Sequence, residues 1–101
     1  YSEEAWLALQ PEGFSYAMSY THVPEELLSF ANSGYFVCNY ALTYPTEDRA
    51  TLMEAAMENS TWDFEPGSGS RAKMQYYADC IRDCFDTTGW PATTLWEQVL
   101  E

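Results

Sequence analysis

The stretch Tyr35-Phe36-Val37-Cys38-Asn39-Tyr40-Ala41-Leu42 decides the fold class that this sequence predicts. It is rich in aromatic and β-branched residues, and Gly34 and Pro45 bound it on either side. This composition is typical of a β-strand. Residues 14–20, which alternate large and small side chains, and residues 62–64 predict two further short strands. We therefore expect a two- to three-stranded antiparallel sheet.

Two long helices are predicted around this sheet. The more regular one is expected from Arg71 to Asp86, behind a Ser70 cap, because apolar residues recur there at i, i+3, i+4 and i+7. The other follows a Thr46 cap and has a length of about 14 residues. Both helices present one apolar stripe, so both are expected to pack on one face of the sheet.

Shorter helices complete the predicted architecture. Capping residues indicate helices at residues 2–9 and 24–30, and a capping box formed by Thr94 and Glu97 indicates a last helix near the C-terminus. Residues 65–70 are rich in Gly and Ser and are predicted to form a flexible loop. A chain of 101 residues has room for one core, so we expect a single α+β domain with four or five helices.

Acidic residues dominate the charge of the chain. Sixteen Asp and Glu face four Lys and Arg, which gives a formal net charge of −12 at pH 7. Such a field repels nucleic acid and anionic membranes, and it attracts basic surfaces. No stretch approaches the roughly 18 apolar residues of a membrane span, and no N-terminal signal-peptide pattern is present. We therefore expect a partner protein with a basic surface, and no direct contact with nucleic acid or membrane.

Patterns for catalysis and metal binding are weak. Cys38, Cys80, Cys84 and His22 supply four candidate zinc ligands, but they lack the paired spacing of structural zinc sites. We expect the cysteines to lie in the core, and their odd number favours a reducing, cytoplasmic compartment. His22 is the only histidine, and no recognisable nucleophile or phosphate-binding loop accompanies it. The sequence predicts neither an enzyme nor a cofactor.

The helix after Thr46 carries a predicted row of acidic residues, formed by Glu47, Glu54 and Glu58. They fall at i, i+7 and i+11 and so share one stripe of the helix. The last two lie about 6 Å apart along the axis, which resembles the spacing of about 6–7 Å between neighbouring phosphates on a DNA strand. With flanking acids, the predicted partner-binding set comprises Glu25, Glu26, Glu47, Asp48, Glu54, Glu58, Asp63 and Glu65. The alternative is a merely solvated helix face.

Aromatic side chains are the second sign of a binding surface. Tyrosine brings a large contact area at a low cost in conformational entropy, which favours it at interfaces. The tyrosines are too many for all of them to be core residues in a domain of this size; they include Tyr16, Tyr20, Tyr35, Tyr40, Tyr44, Tyr76 and Tyr77. We expect part of this set to contact a partner or a second copy of the chain in a homodimer.

Size, charge and the lack of a catalytic motif resemble the anti-restriction, anti-CRISPR and other DNA-mimic proteins of phages and plasmids. The resemblance lies in composition alone and carries over no residues. It implies an acidic inhibitor whose carboxylates occupy phosphate positions on a basic, nucleic-acid-binding surface. Three alternatives stay open: an immunity protein or antitoxin, an accessory subunit bound through an aromatic surface, and a small enzyme or ligand-binding domain.

Overall fold

The computed structural model describes all 101 residues, and helices are its only regular secondary structure. Helical residues make up 55% of the chain and none lies in a strand, so the predicted α+β fold with an antiparallel sheet is wrong. The four α-helices are α1 (Glu3–Ala8), α2 (Glu25–Leu28), α3 (Pro45–Met57) and α4 (Gly69–Cys84). Four 3-10 helices accompany them, at Ser29–Asn32, Asn39–Leu42, Thr61–Asp63 and Leu95–Leu100.

The short helices begin where the sequence predicts. Ser2 caps α1, and its hydroxyl accepts a hydrogen bond from the Ala5 N–H at 3.2 Å. α2 covers the first part of the helix predicted at residues 24–30, and a 3-10 helix continues it. The capping box is confirmed, because the Glu97 carboxylate accepts from the Thr94 N–H at 2.8 Å. The helix that follows it is a 3-10 helix.

The two long helices start two residues earlier than predicted. α3 begins with Pro45, whose fixed φ and missing N–H suit the first helical position, so Thr46 is not its cap. α4 is capped by Ser68 instead of Ser70, and the Ser68 hydroxyl accepts from a first-turn N–H at 3.2 Å. The segment 65–70, predicted as a loop, therefore ends inside the first turn of α4.

Gly69 allows α4 to begin in close contact with another segment. A Cβ at this position would lie 2.1 Å from the Tyr35 ring, so only glycine fits. The next residue, Ser70, is buried and donates its N–H to the Gly34 carbonyl at 2.8 Å. These contacts join the N-terminus of α4 to the stretch that begins at Tyr35.

That stretch forms no strand, because its backbone bonds locally and to a side chain. Its second half is the 3-10 helix Asn39–Leu42. At the start of this helix, the Ala41 N–H donates to the Cys38 carbonyl at 3.1 Å. In its first half, the Tyr35 carbonyl accepts from Lys73 Nζ at 2.7 Å. The apolar side chains of the stretch serve a small core instead of a sheet.

The other two predicted strands are also wrong. Residues 14–20 share two backbone hydrogen bonds with residues 42–43, at 2.9 and 2.8 Å, which do not make a ladder. Met18 adopts a φ of 56°, which interrupts the extended path of this segment. Residues 62–64 lie in and just after the 3-10 helix Thr61–Asp63. Neither segment has a partner strand, so one is irregular and the other is helical.

Two buried clusters form the core of an elongated molecule, with extents of 45, 26 and 23 Å. The larger cluster brings α1, α3, α4 and the C-terminal segment together; it comprises Trp6, Leu52, Ala55, Ala56, Phe64, Met74, Ala78 and Val99. The smaller cluster comprises Tyr16, Phe36, Ala41 and Leu42. A buried ion pair between α3 and α4 lies where the two clusters meet.

Candidate functional site

The four basic side chains of this chain are all engaged within the molecule. Lys73 and Arg82 form the two ion pairs of the structure. Arg71 donates hydrogen bonds to backbone carbonyls, and Arg49 lies over aromatic rings. The bases are therefore used to hold the fold together. They leave the exposed carboxylates without counter-charges from the chain itself.

Lys73 is buried together with Asp48. Its Nζ lies 2.7 Å from Asp48 Oδ2, and neither side chain has exposed surface. The same Nζ donates to Gln10 Oε1 at 3.0 Å and to the Tyr35 carbonyl at 2.7 Å. Burial lowers the pKa of Lys73 to about 8, and the attraction of Asp48 opposes that shift. This base belongs entirely to the interior.

Asp48 is the one predicted partner-binding residue that no partner can reach. Its carboxylate accepts from the Tyr16 hydroxyl at 2.6 Å, and that hydroxyl accepts from Trp6 Nε1 at 2.9 Å. Burial raises the pKa of Asp48, while Lys73 and Tyr16 act in the opposite direction. Burial and the nearby carboxylate also raise the pKa of Tyr16. The prediction for Asp48 is wrong, because the interior of the protein uses this carboxylate.

Arg71 and Arg82 fasten the C-terminal segment to α4. Arg71 donates to the Phe64 carbonyl at 3.0 Å and to the Val99 carbonyl at 2.9 Å. Arg82 Nε lies 2.6 Å from a Glu97 oxygen. The hydrogen bond from Arg82 lowers the pKa of Glu97 to about 2, and burial opposes that shift. Both guanidinium groups thus serve tertiary contacts.

Arg49 covers an aromatic corner at the start of the chain. Its guanidinium carbon lies 4.8 Å from the Tyr1 ring centroid and 5.5 Å from the Trp6 ring. It also donates a hydrogen bond to the Tyr1 hydroxyl. Only two of the sixteen carboxylates form ion pairs with a base. No base is among the exposed residues, so the exposed charged side chains are acidic.

Glu54 and Glu58 form an exposed acidic pair at the C-terminal end of α3. They lie one helical turn apart, about 6 Å along the axis. Glu47 lies on the same stripe in the first turn, where it is half-buried. α3 has no base in its last turn, so the exposed pair meets the negative end of the helix dipole. These two glutamates therefore weaken the helix that carries them. We call Glu47, Glu54 and Glu58 the acidic stripe.

The other acids of the predicted set lie on different elements. Glu25 and Glu26 are exposed in the first turn of α2, where the helix dipole favours negative charge. Asp63 is half-buried at the end of the 3-10 helix after α3, and burial raises its pKa. Glu65 is exposed two residues later. The structure thus divides the predicted set among α2, α3 and the turn that follows α3.

Three tyrosines form a solvent-facing cluster beside Glu47. The Tyr20 ring centroid lies 4.5 Å from that of Tyr44 and 6.0 Å from that of Tyr40. Tyr20 is 60% exposed and Tyr40 is 49% exposed, which leaves two ring faces open to a partner. Interaction with the neighbouring Glu47 carboxylate raises the pKa of Tyr40 to about 12. We call Tyr20, Tyr40 and Tyr44 the tyrosine cluster.

The candidate metal ligands do not come together. No group of three or more His, Cys, Asp or Glu side chains is placed to hold a metal ion. Cys38 and Cys84 are exposed and Cys80 is half-buried, so the expectation of core cysteines is wrong. His22 is exposed, and its backbone N–H bonds to the Ser19 hydroxyl at 3.1 Å.

An apolar surface between α3 and α4 was missed by the sequence analysis. The apolar stripes of the two long helices end at Met57 and Phe85, which are 45% and 61% exposed instead of covered. The available signal was the length of the α4 stripe, which continues to Phe85 and is followed closely by Trp90. An apolar stripe that extends beyond the helix packed against it leaves its last residues exposed.

Comparisons with known proteins reveal no relative of this chain. No protein-family model matches it, and neither does any curated protein or solved structure. None of its helices combines the length and the apolar character that crossing a membrane requires. Its function is therefore inferred from surface chemistry alone.

Proposed function

We propose that this protein binds a basic, nucleic-acid-binding surface of another protein and blocks it. The supporting observation is that all four bases are engaged within the molecule and none is among the exposed residues, so the exposed charged side chains are acidic. Carboxylates held on a helix then take the places of phosphates on the partner. Inhibition follows from competition with nucleic acid, so it needs no catalytic group and no cofactor.

The position of the acidic stripe supports a role in binding. Glu54 and Glu58 repel each other at i, i+4, and the helix dipole disfavours both of them. Each effect costs a few tenths of a kcal/mol or more, and no base of the chain offsets it. A feature that weakens its own helix is best explained by a gain elsewhere, here in the complex with a basic partner.

The tyrosine cluster supplies the specificity that charge alone lacks. An arginine or lysine of the partner placed over the exposed face of Tyr20 or Tyr40 gains a cation–π contact. Glu47 lies next to these rings and adds a carboxylate to the same spot. Aromatic anchors beside a charged group are typical of binding hot spots. We therefore expect the partner to present a basic side chain here.

The cysteines favour a reducing compartment for this encounter. Cys38 and Cys84 are exposed, and no cysteine of the chain forms a disulfide. Exposed free thiols persist where glutathione and thioredoxin keep them reduced, as in the cytoplasm. A cytoplasmic location also fits a partner that handles nucleic acid.

The proposal is tested by displacement from immobilised DNA. Proteins from a lysate of the source cell are retained on a duplex-DNA resin and then eluted with this protein at constant ionic strength. We expect it to release a basic protein. Glu54→Lys with Glu58→Lys is expected to weaken release about tenfold or more and to keep the fold, because lysine is favoured at a helix C-terminus.

A matched control distinguishes the effect of the acidic stripe from the effect of net charge alone. Glu12→Lys with Glu101→Lys changes the net charge by the same amount at two exposed positions outside α3. This control is expected to release the same protein nearly as well as the unmodified chain. Release of nothing, or equal loss in both double variants, would contradict the proposal. Release of a single toxin-like enzyme would identify the protein as an immunity protein instead.

A further inference from the structure

An apolar groove runs between α3 and the C-terminal end of α4. It has a volume of about 460 Å³, and all seven residues that line it are apolar. This volume lies within the range of about 300–1,000 Å³ that ligand-binding clefts occupy. Its lining is Met53, Met57, Tyr77, Ile81, Phe85, Trp90 and Trp96. We call this set the apolar groove.

A second, smaller cavity of about 180 Å³ extends the apolar groove along α4. The two share Tyr77, Ile81 and Phe85. The smaller one adds Cys80 and Cys84 of the same helix, and it is closed on its other side by Tyr1 and Arg49. Together they make a strip of exposed apolar surface that follows two helices. An uncovered strip of this kind on a charged protein indicates a binding surface.

Acidic residues border the strip on both sides. On α3, Glu54 follows Met53 and Glu58 follows Met57, so each acid lies about 100° around the helix from a groove residue. Glu54 and Glu58 are exposed. On the other side, Asp83 lies on α4 beside the cysteines, and Asp86 follows Phe85; both are exposed. No lysine or arginine lines the apolar groove itself. The two bases nearest to it are engaged within the chain: Arg49 of the smaller cavity lies over the Tyr1 ring, and Arg82, which lies 5.9 Å from the Trp90 ring centroid, is paired with Glu97.

We infer that the apolar groove binds a basic amphipathic helix of the partner protein. The apolar face of such a helix would enter between Met57 and Phe85, and its lysines or arginines would meet the acids of the border. Methionine side chains are flexible and adapt to different apolar partners. The inference deepens the proposed function and rests on it for the positive charge of the partner.

Charge decides against a second copy of this chain as the occupant. Two molecules, each with a net charge of −12, would bring their acidic borders together. Like charges placed across an interface oppose association. A basic helix has the opposite charge and satisfies both the apolar floor and the acidic border at once.

A model peptide tests the inference directly. The probe is a peptide of about 14 residues with Leu at i, i+3, i+4 and i+7 and Lys elsewhere; a scrambled peptide of the same composition is its control. Titration calorimetry and intrinsic tryptophan fluorescence, to which Trp90 and Trp96 of the groove contribute, measure binding at about 150 mM salt. We expect the amphipathic peptide to bind about tenfold or more tightly than the scrambled one.

Two double variants of the full chain distinguish binding in the apolar groove from nonspecific binding to exposed apolar residues. Met57→Gln with Phe85→Gln removes exposed groove residues, so the fold is kept, and it is expected to weaken peptide binding about tenfold or more. Leu7→Gln with Leu28→Gln changes two apolar residues of similar exposure outside the groove and is expected to leave affinity nearly unchanged.

The outcomes also distinguish this inference from the proposed function. Equal binding of both peptides, equal effects of both double variants, or a dimer that Met57→Gln with Phe85→Gln dissolves would overturn the inference. Protein release from the DNA resin would still support the proposed function in each case. Conversely, peptide binding that requires Met57 and Phe85 supports the groove even if nothing leaves the resin.

Discussion

Lys73 Nζ lies 2.7 Å from Asp48 Oδ2 at the point where the two buried clusters meet. Asp48 accepts from Tyr16 of the smaller cluster, and the Tyr16 hydroxyl accepts from Trp6 of the larger one. Lys73 reaches across in the same way, since its ammonium lies 3.9 Å from the Phe36 ring centroid. A single buried ion pair therefore connects both parts of the core.

Removing one charge of this pair is expected to be costly. Asp48→Asn should lower the free energy of unfolding by about 3–5 kcal/mol, because the buried Lys73 loses its counter-charge and either stays charged without a partner or gives up its proton. Glu54→Gln, on the exposed side of the same helix, should change it by less than about 0.5 kcal/mol. Urea unfolding followed by tryptophan fluorescence measures both variants. Similar small effects would mean that the pair does not hold the clusters together.

Gly69→Ala is expected to destabilise the protein by about 1–3 kcal/mol, because the new Cβ would overlap the Tyr35 ring. Helix propensity alone predicts the opposite sign, since alanine favours a helix over glycine by about 1 kcal/mol. A double-mutant cycle with Tyr35→Ala provides the control. Once the ring is removed, Gly69→Ala should no longer destabilise; a loss that persists without the ring would refute the steric explanation.

Glu47→Gln is expected to lower the pKa of Tyr40 from about 12 towards 10, its ordinary value. The neighbouring Glu47 carboxylate favours the protonated phenol, and the substitution removes its negative charge. Ultraviolet titration of tyrosine, with Tyr40→Phe to assign the transition, measures the shift. Glu54→Gln serves as the control and should leave Tyr40 unaffected. If the pKa of Tyr40 is unchanged in Glu47→Gln, then Glu47 does not interact with the tyrosine cluster.

The Arg82–Glu97 ion pair is expected to lose its stabilising effect in acid. The pKa of Glu97 is about 2 in the folded protein, below its ordinary value of 4.5. The unfolded chain therefore binds a proton first as the pH falls, so the contribution is complete above about pH 4.5 and disappears towards pH 2. Urea unfolding at several pH values should show the gap between the protein and Glu97→Gln closing over this range. Glu101→Gln, which alters a carboxylate outside any ion pair, should show no such closure.

Local signals predicted helix positions, whereas the fold class depended on contacts that the sequence does not display. The Ser2 cap and the Thr94–Glu97 capping box act within one helical turn, so neighbouring residues determine them completely. The stretch from Tyr35 to Leu42 has the composition of a strand, but a strand also needs a second segment in register. Here Lys73 bonds to the Tyr35 carbonyl instead, and residues Asn39–Leu42 form a 3-10 helix.

The candidate site was predictable to a similar extent. Helical spacing places Glu54 on the exposed side of α3, as the structure has it. The same spacing turns Asp48 by about 100° from Glu47 towards buried Leu52, so helical geometry alone argues against an exposed Asp48. Spacing within one helix cannot show that Lys73 of α4 faces Asp48, because that contact depends on how two helices pack.

Lys73 is the only lysine of the chain, and its ammonium lies beneath the Phe36 ring with no exposed surface. The folded surface therefore offers no side-chain amine to acylating reagents or to enzymes that modify lysine. An acyl group found on Lys73 must have been attached while the two clusters were apart. The rate at which Lys73 is acylated therefore measures how often the interior of this protein opens.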